Sequence, residues 1–254
     1  MKVNFKIFKK GFWYILFSVG IFSLIGFAEK TYETKECKRV AVKIDYQFDN
    51  FFVSEQEVLD LITNNNTELL IGKRLSEIDL EKIEKRIYAH KFVKEAQVYK
   101  SHNGELIAEI VQTRPVARIV QQHGPHAYIS SEGNLLPFSP NFSARVMLVD
   151  GDFIGQFMKA NFLAEEGQAY MDFFNRIDSD RFWKAQVAQV TIADNGEINI
   201  TPQVGDEIIE FGKPEDIDEK LNKLKVFYKK ILPLKGYNKY ERVKLKFKNQ
   251  IICE

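Results

Sequence analysis

Few residues in this 254-residue sequence have types and spacing suited to metal binding. His123 and His126 are spaced as a His-x-x-His pair within "QQHGPHAY". A zinc site needs at least one more ligand, and the sequence has no motif that indicates which residue that ligand would be. Pro125 between the histidines predicts a turn. We therefore interpret the pair as loop histidines and predict no metal.

Catalytic patterns are equally sparse. No nucleophile elbow Gly-x-Ser-x-Gly occurs, and Ser130-Ser131 falls in a predicted turn. The pieces "IGK" and "FGK" lack the upstream glycine of a phosphate-binding loop. Some acids could pair as general acid and base, but the sequence brings no two of them together; they are Glu132, Asp150, Asp152 and Glu207. We predict no catalytic residues and no cofactor, and hence a chain that is not an enzyme.

The segment "RVKLKFKNQII" is the best candidate for an interaction site. Even positions from Arg242 to Lys248 are basic, and Val243, Leu245 and Phe247 fill the odd ones, which predicts a half-buried strand. One hypothesis is that the lysines keep a sheet edge from aggregating. Another is that the edge accepts a partner strand, with the lysines favouring an acidic partner mainly through its association rate. The two hypotheses are compatible.

Composition excludes some classes of function. The 36 Lys and Arg residues nearly balance 35 Asp and Glu residues, which argues against a nucleic-acid binder because such a protein needs a basic excess. The two cysteines, Cys37 and Cys253, lie near opposite ends of the chain and form neither a disulfide framework nor a zinc spacing. A bond between them stays open.

The N-terminus is typical of a membrane anchor. Residues 1–10 carry four lysines and no acid, and residues 11–28 carry no charge. Eighteen helical residues span roughly 27 Å, close to the hydrocarbon thickness of about 30 Å. A cleavable signal peptide is the alternative, although its apolar region is usually shorter.

The flanks of this apolar segment favour a retained helix with its N-terminus in the cytoplasm. Trp13 and Tyr14 lie near the lysine end, where interfacial aromatics are common. Lys9 and Lys10 close the basic tail, whereas mixed charges follow the segment. The positive-inside tendency then places the rest of the chain outside.

The first exported stretch reads as β-α-α-β-β. Arg39 to Phe48 is rich in β-branched and aromatic residues, which predicts a strand. Two capped helices and a hairpin follow, because capping boxes and an Asn-Gly pair are strong local signals. The residues concerned are Ser54 with Glu57, Ser76 with Asp79, and Asn103-Gly104, before the stretch closes at Arg114-Pro115.

The second half predicts a mixed α/β domain. Short strands surround turns at Glu132-Gly133, Asn195-Gly196 and Gly205-Asp206, and strands are expected to resume at Trp183. An amphipathic helix includes Phe162, Phe173 and Phe174, and a long helix follows Pro214 before the basic strand. The fold class is α+β, with the last strand added at the sheet edge through a helical connection.

In the order and spacing of these segments, the sequence resembles the bacterial division protein family FtsQ, also called DivIB. "FVKEAQV" and "GELIAEIVQTRPVARI" resemble the closing hairpin of the family's POTRA module and its junction, with Thr113 where an acid is common. "YISSEGNLLP" is similar to a further family stretch, with Ser131 or Glu132 replacing the usual acid. "VGDEIIEFG", "KLNKLKVFYKKIL" and "VKLKFKNQII" resemble its last hairpin, helix and strand.

The resemblance covers Lys2 to Cys253 and implies a domain layout. Residues 1–10 are expected to be a cytoplasmic tail, 11–28 a transmembrane helix, 39–114 a POTRA domain and 115–254 the FtsQ/DivIB-type β domain. A single-pass protein of the bacterial inner membrane at the division septum is implied, with its bulk in the periplasm.

The resemblance also implies partners. The family's final strand receives a segment of the small division protein FtsB, which forms a coiled coil with FtsL, and the POTRA module contacts further division proteins. Such a chain is a scaffold that links the FtsB/FtsL pair to septal peptidoglycan synthesis. The residues expected to dock the partner are Lys244, Lys246, Phe247, Lys248, Asn249, Gln250, Ile251 and Ile252.

Two other functions remain as alternatives. One is a membrane-anchored cell-envelope hydrolase, which would cleave wall material without partners. The other is a different POTRA-containing envelope protein. Outer-membrane proteins of that kind continue into many barrel strands with lipid-facing alternation, and no such pattern follows here.

Overall fold

The computed structural model describes residues 17–21, 35–46, 50–121, 124–139, 142–155, 162, 165–236, 239–248 and 250–254. The chain divides into two compact units. The N-terminal unit reaches to Tyr46 and resumes over Val53–Gln112, and the C-terminal unit comprises Gln47–Phe52 and Thr113–Glu254.

From Arg39 on, the described part of the N-terminal unit has a three-stranded sheet and two α-helices, which confirms the predicted β-α-α-β-β order. Its sheet order is β1-β3-β2, with β1 parallel and β2 antiparallel to the central strand. A short 3₁₀ helix, Leu75–Glu77, separates the two helices. The elements are β1 (Arg39–Asp45), α1 (Glu55–Ile62), α2 (Leu80–Tyr88), β2 (Val93–Lys100) and β3 (Glu105–Gln112).

Local signals explain most of these boundaries. The Ser54 hydroxyl accepts a hydrogen bond from the Glu57 N–H at 3.2 Å, and the Glu57 carboxylate accepts one from the Ser54 N–H at 2.8 Å, which confirms the capping box. The predicted cap at Ser76 is wrong, because that residue lies in the 3₁₀ helix. Asp79 caps α2 instead and accepts from the Lys82 N–H at 3.1 Å.

The C-terminal unit contains a nine-stranded mixed sheet of order β12-β11-β10-β9-β8-β7-β4-β5-β6. Its strands are β4 (Pro115–Ile119), β5 (Ala127–Ser130), β6 (Leu135–Pro137), β7 (Met147–Asp150), β8 (Val187–Ile192), β9 (Ile198–Pro202), β10 (Ile208–Gly212), β11 (Arg242–Lys244) and β12 (Ile252–Cys253). Its helices are α3 (Glu165–Ser179), α4 (Arg181–Gln186), α5 (Ile217–Val226) and α6 (Leu232–Lys235), with a π-helical turn over Phe227–Ile231.

One apolar core holds this unit together. Phe173 and Phe174 of α3, Leu224 of α5 and Phe227 are fully buried beside strand residues such as Phe211. The strand predicted from Trp183 begins four residues later than expected, because Asp180 caps α4 by accepting from the N–H groups of Phe182 and Trp183. The α+β class is confirmed, as is the helical connection between β10 and the parallel strand β11.

The predicted membrane segment lies largely outside the described residues. Of positions 11–28, the structure describes 17–21, which are helical. Lys9, Lys10, Trp13 and Tyr14 are outside the described residues. Within the described ranges, no helix is both long enough and apolar enough to cross a membrane.

Candidate functional site: the C-terminal hairpin and its open edge

The basic strand is shorter than predicted and does not form the sheet edge. β11 contains Arg242–Lys244, pairing in parallel with β10 on one side and antiparallel with β12 on the other. The expectation that the edge strand runs to Lys248 is therefore wrong. The physical reason is that the chain folds back on itself after this segment, so that its last residues cover the outer edge of β11.

The alternation holds only as far as Leu245. Val243 and Leu245 are fully buried, and the Leu245 N–H still donates to the Glu210 carbonyl at 2.9 Å. The chain then bends at Phe247, whose side chain is 45% exposed rather than buried as the pattern predicts. Truncation after Arg242 would therefore remove core residues, and it is unsuitable as a test of docking.

The predicted docking residues lie in and around the hairpin that β11 and β12 form. Lys244 is in β11 and Ile252 in β12, while the others that the structure describes follow the bend or precede β12. Ile251 is partly buried against the core. Lys246, Phe247, Lys248 and Gln250 are exposed, and Asn249 lies outside the described residues.

The row of basic side chains at Arg242, Lys244 and Lys246, called the basic row below, has carboxylate partners inside the C-terminal unit. Arg242 pairs with Glu210 at 3.0 Å, and Lys244 pairs with Glu254 at 2.7 Å. Lys246 pairs with Glu197 at 2.6 Å, and its hydrogen bond lowers the pKa of that carboxyl below its ordinary value. Cross-strand pairs of this kind help to set strand register. An acidic partner consequently meets a row whose charge is largely balanced already.

β12 presents the open edge of this end of the sheet. Arg242 and Glu254 exchange two backbone hydrogen bonds, at 3.2 and 3.0 Å. Because bonded and non-bonded pairs alternate in an antiparallel ladder, the next pair, Val243 and Cys253, is non-bonded. The N–H and C=O groups of Cys253 thus point away from β11, where no strand of the described residues covers them.

Sequence reasoning omitted Cys253 and Glu254 from the candidate site. A two-residue strand is too short to show a period, so no alternation could reveal it. The apolar tip "IIC" at residues 251–253 is the one signal present. Both cysteines of the chain are free, and Cys37 is buried.

A buried carboxyl lies where β10 begins. Glu207 is 1% exposed, and the Tyr228 hydroxyl donates to its Oε1 at 3.1 Å. Its Oε2 is buried with no hydrogen-bond partner among the described residues. Burial raises the pKa of Glu207 above its ordinary value of 4.5, because the charged form loses solvation.

The raised pKa of Glu207 predicts a pH-dependent stability. The folded chain keeps a proton that the unfolded chain releases above 4.5, so the free energy of unfolding should fall as pH rises from there through the raised pKa. Glu207→Gln should flatten this slope and make the variant more stable than the parent at pH 8 by about 1 kcal/mol or more. Urea unfolding at several pH values measures the free energy of unfolding of both proteins and its slope with pH. The exposed-site variant Glu241→Gln should keep the parent slope, and an equal slope in Glu207→Gln would contradict the assignment.

The other chemical candidates do not converge. His126 is exposed and His123 lies outside the described residues. The Asp150 carboxylate accepts a hydrogen bond from Gln189 at 2.8 Å. No group of three or more possible metal ligands is found in the described part of the chain.

Comparison with known families agrees with this architecture. Residues 114–254, more than half of the chain, match a family model described as FtsQ/DivIB, C-terminal related. Residues 35–111 match a model described as a POTRA-like domain. No curated protein matches the sequence. The chain therefore belongs to the FtsQ/DivIB family of cell-division proteins and carries a POTRA module.

Proposed function

We propose that this chain is a non-enzymatic scaffold of the bacterial divisome that docks the FtsB/FtsL coiled-coil pair and links it to septal peptidoglycan synthesis. Residues 11–28 anchor it in the inner membrane as a single-pass helix, with the N-terminus in the cytoplasm and the bulk in the periplasm. The POTRA domain, 39–114, contacts other division proteins. The domain over 115–254 carries the docking edge.

The observation that supports docking is the outward-facing backbone of β12 at the end of the nine-stranded sheet. A strand edge with unsatisfied N–H and C=O groups accepts an added strand, which supplies affinity through backbone hydrogen bonds. Phe247 is the largest exposed apolar side chain of the hairpin and can give that strand an anchor. Since most of the lysines are paired internally, backbone bonds and apolar contacts contribute more than lysine charge.

The alternation within the β11–β12 ladder permits a selective test of this edge. Cys253→Pro removes an outward N–H while sparing the bonds to β11, because Cys253 belongs to a non-bonded pair. We expect the variant to bind the cognate FtsB/FtsL pair about 5- to 30-fold more weakly, as for the loss of one or two backbone hydrogen bonds. Binding of the full chain is measured by titration, with thermal unfolding as the check on folding.

Cys253→Ala is the matched control. It removes the thiol and keeps the N–H, so its affinity should equal that of the parent chain. Parent-like affinity of a folded Cys253→Pro variant would argue against pairing at β12. Absence of binding by the parent chain itself would argue against FtsB/FtsL as the partner.

A further inference from the structure

A cavity in the C-terminal unit has a basic lining distinct from the hairpin. Its volume is about 410 Å³, and all its lining residues belong to that unit. Arg114, Arg145 and Lys184 contribute the charge, and no acidic residue among those the structure describes lines it. This volume lies within the range of about 300–1,000 Å³ that small ligands occupy.

Two of these cations, Arg114 and Lys184, contact the buried carboxylate of Asp178. The Asp178 side chain is 3% exposed, its Oδ1 is 2.7 Å from the Lys184 ammonium, and its Oδ2 contacts the Arg114 guanidinium. The lining of this cavity that the structure describes is therefore basic. The pKa of Lys184 is lowered, first by burial and then by the charge of Arg114, as expected where positive potential persists.

Arg145 is the cation best placed to meet a ligand. It is exposed, lines the cavity and has no carboxylate partner within the described ranges. A guanidinium presents a planar fork of donors that matches the two oxygens of a carboxylate.

An ordered apolar wall adjoins the basic one. The rings of Phe51 and Phe142 meet edge to face with centroids 5.6 Å apart, and Phe142 also meets Phe52 at 4.9 Å. Phe51 and Phe142 line the cavity together with Pro115 and Val146. Edge-to-face contacts hold such rings in defined positions. The wall is therefore suited to an apolar side chain lying beside an anionic group.

We propose that this cavity binds the C-terminal end of a peptide, with its carboxylate at Arg145 and Lys184 and its apolar last side chain against Phe51 and Phe142. A single terminal residue carries both groups within a few bonds of each other. That combination matches the adjoining basic and apolar walls better than an anion without an apolar body.

The test compares two forms of one probe. The full chain is titrated calorimetrically with acetyl-Gly-Gly-Leu bearing a free carboxylate and with the same peptide as its C-terminal amide. We expect saturable binding of the acid and at least about 10-fold weaker binding of the amide, as for loss of a charge-assisted contact. Equal binding of the two forms, or no binding of either, overturns the proposal.

Variants locate the site. Arg145→Gln removes an exposed charge from the cavity and should weaken binding of the acid by about 10-fold. Arg181→Gln removes an equal charge from an exposed position that does not line the cavity, and it should bind like the parent. Unchanged binding in Arg145→Gln, or displacement of the peptide by inorganic phosphate at equal concentration, also overturns the proposal.

The same peptide end fused to a folded carrier protein distinguishes the source of the ligand. Equal affinity of the fusion assigns the cavity to the chain termini of proteins, and binding of the short peptide alone assigns it to small peptides. Either result supports the carboxylate chemistry. Neither depends on FtsB/FtsL docking, which takes place at β12.

Discussion

Phe211→Ala is expected to lower the free energy of unfolding of the C-terminal unit by about 3–5 kcal/mol. Phe211 is fully buried on β10, and its ring meets that of Phe173 edge to face with centroids 4.9 Å apart. Truncation leaves a cavity between the sheet and α3 that the surrounding side chains fill only in part. Urea unfolding followed by the fluorescence of buried Trp183 measures the loss.

Phe247→Ala is the matched control for this substitution. It removes the same side chain from an exposed position, so the free energy of unfolding should change by no more than about 0.5 kcal/mol. If Phe247 anchors the partner strand, the same variant should bind FtsB/FtsL about 10-fold more weakly. A stability loss in Phe247→Ala as large as that of Phe211→Ala would contradict the assignment of the two residues to docking and core.

Gly151→Ala is expected to destabilise the C-terminal unit by about 3–5 kcal/mol through backbone strain and steric overlap. Gly151 follows β7 with φ +113°, a conformation that residues with a Cβ rarely adopt. A Cβ there would overlap the carbonyl oxygen of Ile192 and lie 2.9 Å from its nitrogen. Because both groups belong to backbone, neither can move without disturbing β7 and β8. Thermal or urea unfolding detects the effect.

Gly155→Ala provides the comparison, four residues further along. Apart from its chain neighbours, no heavy atom of the described residues lies within 4 Å of a Cβ built there. Its free energy of unfolding should stay the same or rise slightly, because alanine restricts the unfolded chain. Similar losses of unfolding free energy in Gly151→Ala and Gly155→Ala would show that overlap with Ile192 is not the cause of the destabilisation.

The internal pairing of Arg242, Lys244 and Lys246 bears on the docking that we propose at β12. A lysine row without partners would attract acidic segments over long range, but Lys244 and Lys246 already contact Glu254 and Glu197. Exposed pairs of this kind contribute little stability, typically about 0–1 kcal/mol each. The Lys244–Glu254 pair joins β11 to the residue after β12 and helps to set the register of these two strands. The edge that remains open is made of backbone.

Local signals in the sequence determined most of the element order. The Ser54 capping box, the Gly104 and Gly196 turns with positive φ, and the apolar face that includes Phe173 each act within a few residues. Such signals depend on short-range geometry, so one sequence is sufficient to read them. They gave a wrong helix cap at Ser76 and a wrong strand start at Trp183. In both places a neighbouring aspartate caps the helix, Asp79 in the first and Asp180 in the second.

Tertiary structure alone decided which strand is the sheet edge and which residues form the basic cavity. The alternation from Arg242 to Lys248 indicates that one face of the strand is buried. It carries no information about β12, which pairs along the edge of β11 that faces away from β10. The same holds for Arg114, Arg145 and Lys184, which are far apart in sequence and line one cavity only in the folded unit, where Arg114 and Lys184 contact Asp178. Side-chain period reports burial across a sheet face, whereas hydrogen-bond pairing along its edge depends on where distant parts of the chain come to lie.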